Sequence, residues 1–478
     1  MTKTINTNKQ IILWLLALTM FLVVLDSAII NVALPKIKDA LGFDDASLQW
    51  VLTSYILTFG GFLMLGGRTA DLYGRRRVLI FGIAGFTLSS LLIGLSGSAE
   101  MLIGLRAFQG LAAAFMAPTA LSILLTTFEE GDSRNKALSI WSLVASGGAA
   151  AGVFLGGLLT QYLGWQWCFF VNVPVGILAI IGIQKYVPAH ASEEKDKHLD
   201  LPGAVLITGG LMALVYALTL ASESGWTNTI TLGSLTVSFL MIAAFIFNES
   251  KVSHPLVPLS IFRIRNVSGG NLIMMPIVAG ALGMFFFCSL YVQNILRFSP
   301  VQSGLSFLPV PLIIGSIAFQ APKLLKRFGF KILVMTGVLL ASTGTFLMSL
   351  LNVDSSYLFH MLPAFIILAC GFGLSFVAIT VAATSGVPKH EAGLAAGLIN
   401  TSQQIGGALG LAILAVVAHS ATVAALSSGV SGDLAIMVGY KRAFLTASGL
   451  MIVAFLIAVF VIKTPRTRGE SGVPAINH

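Results

Sequence analysis

Residues 66–78 read GGRTADLYGRRRV, and residues 321–333, which lie 255 positions further along the chain, read APKLLKRFGFKIL. Both stretches follow an apolar run, place an aromatic residue directly before a glycine, and continue with basic residues. The same offset superimposes the apolar run 100–125 on 355–380. Because one constant offset matches five successive apolar runs, the sequence predicts an internal duplication.

The composition is that of a membrane protein. Of the 478 residues, 56% are hydrophobic and 10% are charged, and the mean hydropathy is +0.91. A soluble domain carries about 25% charged residues, because water must wet its surface. The net charge of +9 would suggest nucleic acid in a soluble protein. Here basic cytoplasmic loops explain the excess, so we expect lipid and no nucleic acid as the partner.

Fourteen stretches are long and apolar enough to cross a bilayer, which takes about 20 residues. They lie at 11–34, 48–67, 77–96, 100–125, 138–160, 166–186, 201–221, 227–248, 267–293, 304–322, 332–350, 357–382, 393–416 and 443–463. An even number places both termini on one side. If that side is the cytoplasm, cytoplasmic segments hold 22 of the 28 Lys and Arg residues and outer loops hold five. This bias predicts cytoplasmic termini.

The predicted fold is an all-α membrane fold with two six-helix pseudo-repeat bundles and two inserted helices between them. The N-terminal bundle covers 1–186, the linker and inserted helices 187–266, and the C-terminal bundle with its cytoplasmic tail 267–478. Duplicated bundles are typical of alternating-access transporters, which bind substrate near the membrane midplane between the repeats. Nothing in the sequence assigns a role to the inserted helices.

Two charged residues lie deep within predicted spans. Among 19 acidic residues, only Asp26 is well inside a span, and Arg106 is the one deep basic residue. Charges in the membrane are costly, so they indicate function or pairing. A rise of about 1.5 Å per residue places both at similar depth. Two interpretations stay open: an ion pair that holds two helices together, or a proton site at Asp26 that Arg106, burial and water access control. They are compatible if the pair breaks during a transport cycle.

The loop after the second span is a candidate conformational switch. Its candidate residues are Gly67, Asp71, Gly74, Arg75 and Arg76. They could simply anchor a tight turn on the positive side of the membrane. Alternatively, the Asp71 carboxylate could lie at a helix N-terminus of the other bundle, where the helix dipole favours an anion. That contact would hold the cytoplasmic side closed.

Glycines recur in the fifth span and, at matching positions of the repeat, in the thirteenth. The candidates are Gly148, Gly152, Gly156 and Gly157, with Gly393, Gly397, Gly406 and Gly410 in the second repeat. Small residues on one helix face let backbones approach closely. Packing alone could explain them, but we expect a sliding interface between the bundles.

Polar and aromatic residues at membrane depth are candidates for a substrate cavity. They are Asn31, Trp50, Tyr55, Gln109, Tyr291, Gln293, Asn294, Asn400, Gln403 and Gln404. For each, an interhelical hydrogen bond is the structural alternative. The seven histidines and three cysteines are dispersed, and neither an HExxH nor a GxxxxGK[ST] motif is present. The sequence therefore predicts no enzyme, no metal site, no channel and no ATP-driven pump.

The chain resembles the fourteen-helix drug:proton antiporters of the major facilitator superfamily, a multidrug efflux family, along nearly its whole length. The motifs that carry this resemblance are LDSAIINVALP (25–35), GGRTADLYGRRR (66–77), LRAFQG (105–110), WQWCFFVNVPVG (165–176), LYVQNILRFSPVQSGLSFLP (290–309) and AGLAAGLINTSQQIGGALG (392–410).

The resemblance implies proton-driven efflux across a bacterial cytoplasmic membrane, with the proton motive force in place of a cofactor. It implies that Asp26 couples protons and Arg106 assists their transfer, that 67–76 controls the conformational switch, and that 147–157 carries the antiporter motif. We expect a monomer whose partners are the bilayer, protons and a small-molecule substrate. Export of an endogenous lipid, siderophore or metabolite by the same fold is the alternative.

Two departures from the family pattern affect these expectations. Val153 stands where the antiporter motif usually has a proline, so a bend at that position is not carried over. Spans 10 to 14 contain no interior carboxylate, whereas exporters of dications often have one there. The resemblance therefore implies a neutral, zwitterionic or monovalent lipophilic substrate.

Overall fold

The computed structural model describes residues 2–44, 47–129, 132–188, 200–252, 255–385, 387 and 392–463. These residues form helices and turns, and no strand occurs among them. Helices suit a chain in lipid, because each satisfies its own backbone hydrogen bonds where no water is available. The predicted all-α membrane fold is confirmed.

The first part of the chain contains nine helices within the described ranges. They are α1 (Thr2–Leu41), α2 (Trp50–Tyr73), α3 (Arg75–Gly94), α4 (Ala99–Thr127), α5 (Asp132–Tyr162), the short α6 (Trp167–Phe170), α7 (Asn172–Tyr186), α8 (Leu201–Ser224) and α9 (Thr229–Lys251). Helices α8 and α9 are the two inserted helices.

The second part begins with a 3-10 turn, Leu259–Arg263. Its helices are α10 (Arg265–Leu290), α11 (Pro300–Phe307), α12 (Pro309–Ser349), α13 (Leu362–Thr384), α14 (Ala392–Ser427) and α15 (Gly432–Phe460). Single π-helical turns, Tyr291–Ile295 and Tyr357–Met361, extend α10 and precede α13.

Thirteen described segments are long and apolar enough to cross a membrane. The helix at the predicted fifth span, α5, is 31 residues long, and at about 1.5 Å per residue this length also suffices to cross a bilayer. The predicted spans 304–322 and 332–350 share the helical stretch α12, which contains a non-helical backbone at Gly329 with φ of 75°.

The duplicated motif has the same backbone feature in both copies. Gly74, between α2 and α3, has φ of 96°, and Gly329 has φ of 75°. A positive φ is easily reached by glycine because it lacks a Cβ atom. The aromatic-glycine pair recognised in the sequence thus makes a corresponding sharp turn in each repeat.

Several helices extend beyond the predicted spans; α14, for example, continues to Ser427, where the sequence predicted an end at 416. Helix α1 continues past Pro35 to Leu41. Helix α15 begins at Gly432, so Lys441 and Arg442, which were expected in an outer loop, lie within a helix. The Lys441 ammonium group donates to the Asn352 side-chain oxygen. Long basic side chains can reach polar groups from an apolar helix, which explains why charge alone misplaced this end.

Helix contacts fall into two groups. In the first, α1 packs on α4, α5 and α7, while α2 and α3 pack on α4. In the second, α10 packs on α13, α14 and α15, and α12 packs on α13 and α15. The groups meet where α2 contacts α14, where α5 contacts α11 and α12, and where α1 contacts α10. Inserted helix α8 packs on α2, α14 and α9. The boundaries 1–186, 187–266 and 267–478 stay a prediction.

Candidate functional site

The structure brings Asp26 of α1 and Arg106 of α4 into direct contact. The Arg106 Nη1 atom lies 2.6 Å from Asp26 Oδ2, and both side chains are essentially inaccessible to solvent. Such charge-assisted hydrogen bonds are short and strong. The similar depth inferred from the helical rise thus corresponds to an ion pair between the two helices.

A network of amides completes the surroundings of the carboxylate. Asp26 Oδ1 accepts hydrogen bonds from Gln109 Nε2 and Asn172 Nδ2, each at 2.9 Å. Gln109 follows Arg106 by three residues, so both lie on one face of α4. The Gln109 Oε1 atom accepts from Arg106 Nη1 at 2.6 Å, and its Nε2 also donates to Ser90 Oγ at 2.8 Å. Side chains of four helices, α1, α3, α4 and α7, thereby form one buried network.

Helix α2 holds the guanidinium from the other side. Arg106 Nε donates to the Val51 carbonyl oxygen at 2.9 Å, and the guanidinium lies 4.3 Å from the centre of the Tyr55 ring. The ring face attracts the cation. Close approach of α4 to α2 needs Gly110, where an added Cβ would lie 2.2 Å from the Tyr55 carbonyl oxygen.

This arrangement stabilises the ionised pair. Asp26 accepts from three N–H groups, and a carboxylate without its proton can only accept. Burying two charges costs free energy, which their attraction and the extra hydrogen bonds offset. Arg106, Gln109 and Asn172 all donate to the charged form of Asp26, so the contacts of the helices that carry them depend on that charge.

Sequence reasoning missed Asn172 and Ser90, and it assigned Gln109 to the cavity. Asn172 stands in the quoted motif WQWCFFVNVPVG, and a buried amide at the depth of Asp26 was a usable signal. Gln109 is 0% exposed and belongs to the ion-pair network. Among the described residues, no group of three or more His, Cys, Asp or Glu side chains could hold a metal ion.

The remaining cavity candidates divide by exposure. Buried are Asn31, Tyr55 and Tyr291; partly exposed are Trp50, Gln293, Asn294, Gln403 and Gln404; exposed is Asn400. Several make the hydrogen bonds that were the structural alternative. The Tyr291 hydroxyl donates to the Asn352 carbonyl oxygen at 2.9 Å. Asn31 Nδ2 instead donates within its own helix, to the Ser27 carbonyl oxygen at 2.9 Å. The candidates with exposed surface are therefore Trp50, Gln293, Asn294, Asn400, Gln403 and Gln404.

Polar contacts join the two groups of helices at one end, which we name the α1–α10 seam. The Gln293 Nε2 atom donates to the Val32 carbonyl oxygen at 2.9 Å, and the Ser289 hydroxyl donates to the Asn31 carbonyl oxygen. Nearby, the Val301 N–H donates to Gln161 Oε1 at 3.1 Å. In this conformation α1 is therefore held to α10, and the end of α5 is held to α11.

The glycines of α5 face two different neighbours. An added Cβ at Gly152 would lie 2.6 Å from the Ala28 Cβ, and one at Gly156 would lie 2.6 Å from the Ile29 carbonyl oxygen. Gly148 also faces α1, 3.3 Å from Phe21 by the same measure. These three pack two helices of one group, because a spacing of four keeps them on one face.

Gly157, one residue further round the helix, is the one of the four that meets the other group of helices. Its added Cβ would lie 2.4 Å from the Pro300 carbonyl oxygen of α11. Among these four, Gly157 alone lies between the two groups, which corrects the expectation for the other three, and sliding at Gly157 stays a prediction. In the second repeat, Gly406 and Gly410 face α10 of their own group, whereas an added Cβ at Gly397 would lie 3.9 Å from Met64 Cε of α2, in the other group. Val153 is buried inside the uninterrupted helix α5.

The candidate switch loop makes local contacts in this conformation. Arg75 Nε and Nη2 donate to Asp71 Oδ1 at 3.1 and 3.0 Å, and both side chains are about one-third or more exposed. Arg76 donates to the Gln184 carbonyl oxygen of α7. An added Cβ at Gly67 would lie in ordinary contact with Pro118, 3.6 Å away. Asp71 thus pairs within its own loop here, and the contact with a helix of the other bundle stays a prediction.

Comparison with known families gives a match along most of the chain. The model of the Major Facilitator Superfamily matches residues 16–411. The puromycin resistance protein pur8 of Streptomyces alboniger is 40% identical over 465 residues, which cover 95% of this chain and 92% of that protein. The cephamycin export protein CmcT of Amycolatopsis lactamdurans is 38% identical, covering 96% of this chain and 93% of its own.

Solved structures agree at the level of the fold. A bacterial homologue of the human lysosomal transporter Spinster, in an inward-facing and occupied conformation, matches with a TM-score of 0.70 at 15% identity. The match covers 95% of this chain and 98% of that one. The POT family transporter PepTSo also gives 0.70 at 15% identity, covering 95% and 97%. At such low identity these matches concern the architecture alone.

Proposed function

This chain belongs to the major facilitator superfamily, and from that premise we propose that it is a proton-coupled antiporter that exports small lipophilic organic compounds by alternating access. It is a multi-pass membrane transporter and not an enzyme. The names of two relatives, one for puromycin resistance and one for cephamycin export, support efflux of drugs, antiseptics or dyes.

The observation that carries proton coupling is the buried Asp26–Arg106 pair. A charged pair inside the membrane is expensive and is retained where protons or ions are handled. In the proposed cycle, Asp26 binds a proton and releases Arg106, and the two groups of helices then reorient around the cavity. One charge crossing 100 mV gains about 2.3 kcal/mol, which sustains roughly a 50-fold concentration ratio of a neutral solute.

The proposal includes the setting of the protein. It acts as a monomer in the bacterial cytoplasmic membrane with both termini in the cytoplasm, and it needs no cofactor besides the proton motive force. The substrate is neutral, zwitterionic or monovalent. A divalent cation would need a second carboxylate inside the membrane. In the second repeat the Asp433 carboxylate does not provide one, because it lies at the exposed start of α15 and pairs with Arg297.

Efflux assays with purified and cellular protein test the proposal. Expressed in a bacterial host that lacks its own efflux pumps, the protein should raise resistance to puromycin more than to a dicationic antiseptic. In proteoliposomes with an imposed pH gradient, wild type should exchange puromycin for protons. Asp26→Asn should fold and lose this exchange. Proton-coupled exchange at the wild-type rate by Asp26→Asn would refute the assignment of Asp26.

If the protein confers resistance to none of the foreign compounds but exports lipids or metabolites of the cell, the alternative substrate class is favoured. Uptake that is equally fast in de-energised vesicles would refute proton coupling as a whole.

A further inference from the structure

Asn172, the first residue of α7, is placed to respond to the protonation of Asp26. Its side chain is 0% exposed and its Nδ2 donates to Asp26 Oδ1 at 2.9 Å and to Ser90 Oγ at 3.4 Å. The amide oxygen Oδ1 is buried and has no hydrogen-bond partner within the described part of the chain. Buried carbonyl oxygens are nearly always paired, so an unpaired one needs an explanation.

The amide orientation follows from the charge of its neighbour. An ionised carboxylate only accepts hydrogen bonds, so the NH2 group of Asn172 must face it. A protonated Asp26 would instead carry an O–H that needs an acceptor. Arg106 cannot provide one, because a guanidinium has donors only. The Gln109 Oε1 atom already accepts from Arg106.

We propose that Asn172 is a positioning residue that flips its side-chain amide when Asp26 binds a proton, so that Asn172 Oδ1 accepts the hydrogen bond of the new carboxylic acid. Rotation about the terminal torsion exchanges the nitrogen and oxygen positions, and this torsion is soft. Asn172 then serves as a donor to the ionised form and as an acceptor to the neutral form. This inference rests on the proposed proton binding by Asp26.

The flip transmits the protonation state to other helices. Asn172 begins α7 and contacts Ser90 of α3, so its reorientation changes the contact of both helices with α1. The titratable groups that face Asp26 from neighbouring elements are Arg106 of α4, Tyr55 of α2 and Cys168 of α6. Arg106 has donors only, and within the described part of the chain no hydrogen bond joins the Tyr55 hydroxyl or the Cys168 thiol to Asp26, whereas the Asn172 amide is already 2.9 Å from the carboxylate.

Infrared difference spectroscopy between alkaline and acidic buffer tests the flip in the full-length protein in lipid. Asparagine isotope-labelled at its side-chain amide carbon identifies the amide band. On acidification we expect a carboxylic acid C=O band that is absent in Asp26→Asn. An asparagine band should shift to lower frequency at the same pH, because the unpaired amide oxygen gains a hydrogen bond.

Asn172→Leu should lose the shifting asparagine band and move the Asp26 acid band to higher frequency, since its O–H has no acceptor. The matched control is Asn271→Leu in α10, a buried asparagine whose amide donates to the Val267 carbonyl oxygen and accepts from Ser402. This control should leave both bands unchanged.

The outcomes separate this inference from the proposed function. The flip is overturned if the Asp26 acid band appears on acidification without any shift of an asparagine band. It is also overturned if the asparagine shift persists in Asn172→Leu. Both outcomes leave proton binding by Asp26 intact. The absence of any Asp26-dependent acid band refutes the proposed function itself. If Asn172→Leu does not fold, labelled wild type against labelled Asp26→Asn still decides, because the flip requires that the amide shift disappears with the carboxyl group.

Discussion

Removal of Arg106 should destabilise the protein far more than removal of an exposed arginine. In Arg106→Met the guanidinium is lost while the Asp26 carboxylate stays fully buried, and breaking such a pair costs about 3–5 kcal/mol. The variant also loses the hydrogen bond to Val51 and the contact with the Tyr55 ring. At an unfolding entropy of about 2.1 cal/mol/K per residue over 478 residues, each kcal/mol moves Tm by about 1 °C, so we expect Tm to fall by about 3–5 °C.

The double variant Asp26→Asn/Arg106→Met should recover much of this loss. Asparagine keeps an oxygen that can accept from Gln109 and Asn172, and no buried charge remains. Replacement of both partners of a buried pair is often close to neutral. A double-mutant cycle should therefore give a coupling free energy of about 2–3 kcal/mol between the two positions.

Thermal unfolding of purified protein in detergent, followed by circular dichroism, measures all four corners of the cycle. Arg297→Met is the matched control, since it breaks an exposed pair with Asp433 at 3.1 Å and should cost at most about 1 kcal/mol. The reasoning is refuted if Arg106→Met loses no more than this control, or if the double variant is less stable than either single one.

Three further predictions concern helix packing and the switch loop. Gly152→Val should destabilise the protein by about 1–3 kcal/mol in the same unfolding assay, because its side chain would meet Ala28 and Leu25, whereas Gly147→Val, with open space around Gly147, should not. Gly157→Val should wedge α5 from α11 at the Pro300 carbonyl oxygen and lower puromycin efflux with little change in Tm; unchanged efflux would contradict a role for this contact. Asp71→Asn should change stability by less than about 1 kcal/mol, since its pair with Arg75 is exposed, so a loss of efflux without a loss of Tm would point to a contact made in another conformation.

The features predicted from the sequence are those that depend on composition and helical rise. The all-α membrane fold follows from runs of about 20 apolar residues, which lipid forces into helices. The depth of Asp26 and Arg106 follows from counting residues along a helix, and the duplicated glycine turns at Gly74 and Gly329 follow from the constant offset.

Features that depend on how each helix is rotated about its axis, and on which helix packs against it, could not be predicted. The spacing of Gly148, Gly152 and Gly156 defines one face of α5, but the sequence does not say that α1 occupies it. Gln109 and Asn172 look alike in sequence to other amides at membrane depth. Only packing decides that they meet Asp26, while Gln293 meets the Val32 carbonyl oxygen.

Helix α1 carries both one member of the ion pair and the acceptors of the α1–α10 seam. It carries Asp26, and the carbonyl oxygens of Asn31 and Val32, which accept from Ser289 and Gln293 of α10, follow within two turns. At a rise of about 1.5 Å per residue, these acceptors lie less than about 10 Å along the axis from the carboxylate. A helix of this length moves as a rigid element, so a shift that releases Arg106 also displaces both seam acceptors. In the proposed cycle, proton binding and opening of the seam are therefore consequences of one movement of α1. The link between proton binding at Asp26 and opening of the α1–α10 seam then requires no pathway through the cavity. This link should survive substitutions of Asn400 or Gln404 that abolish substrate binding.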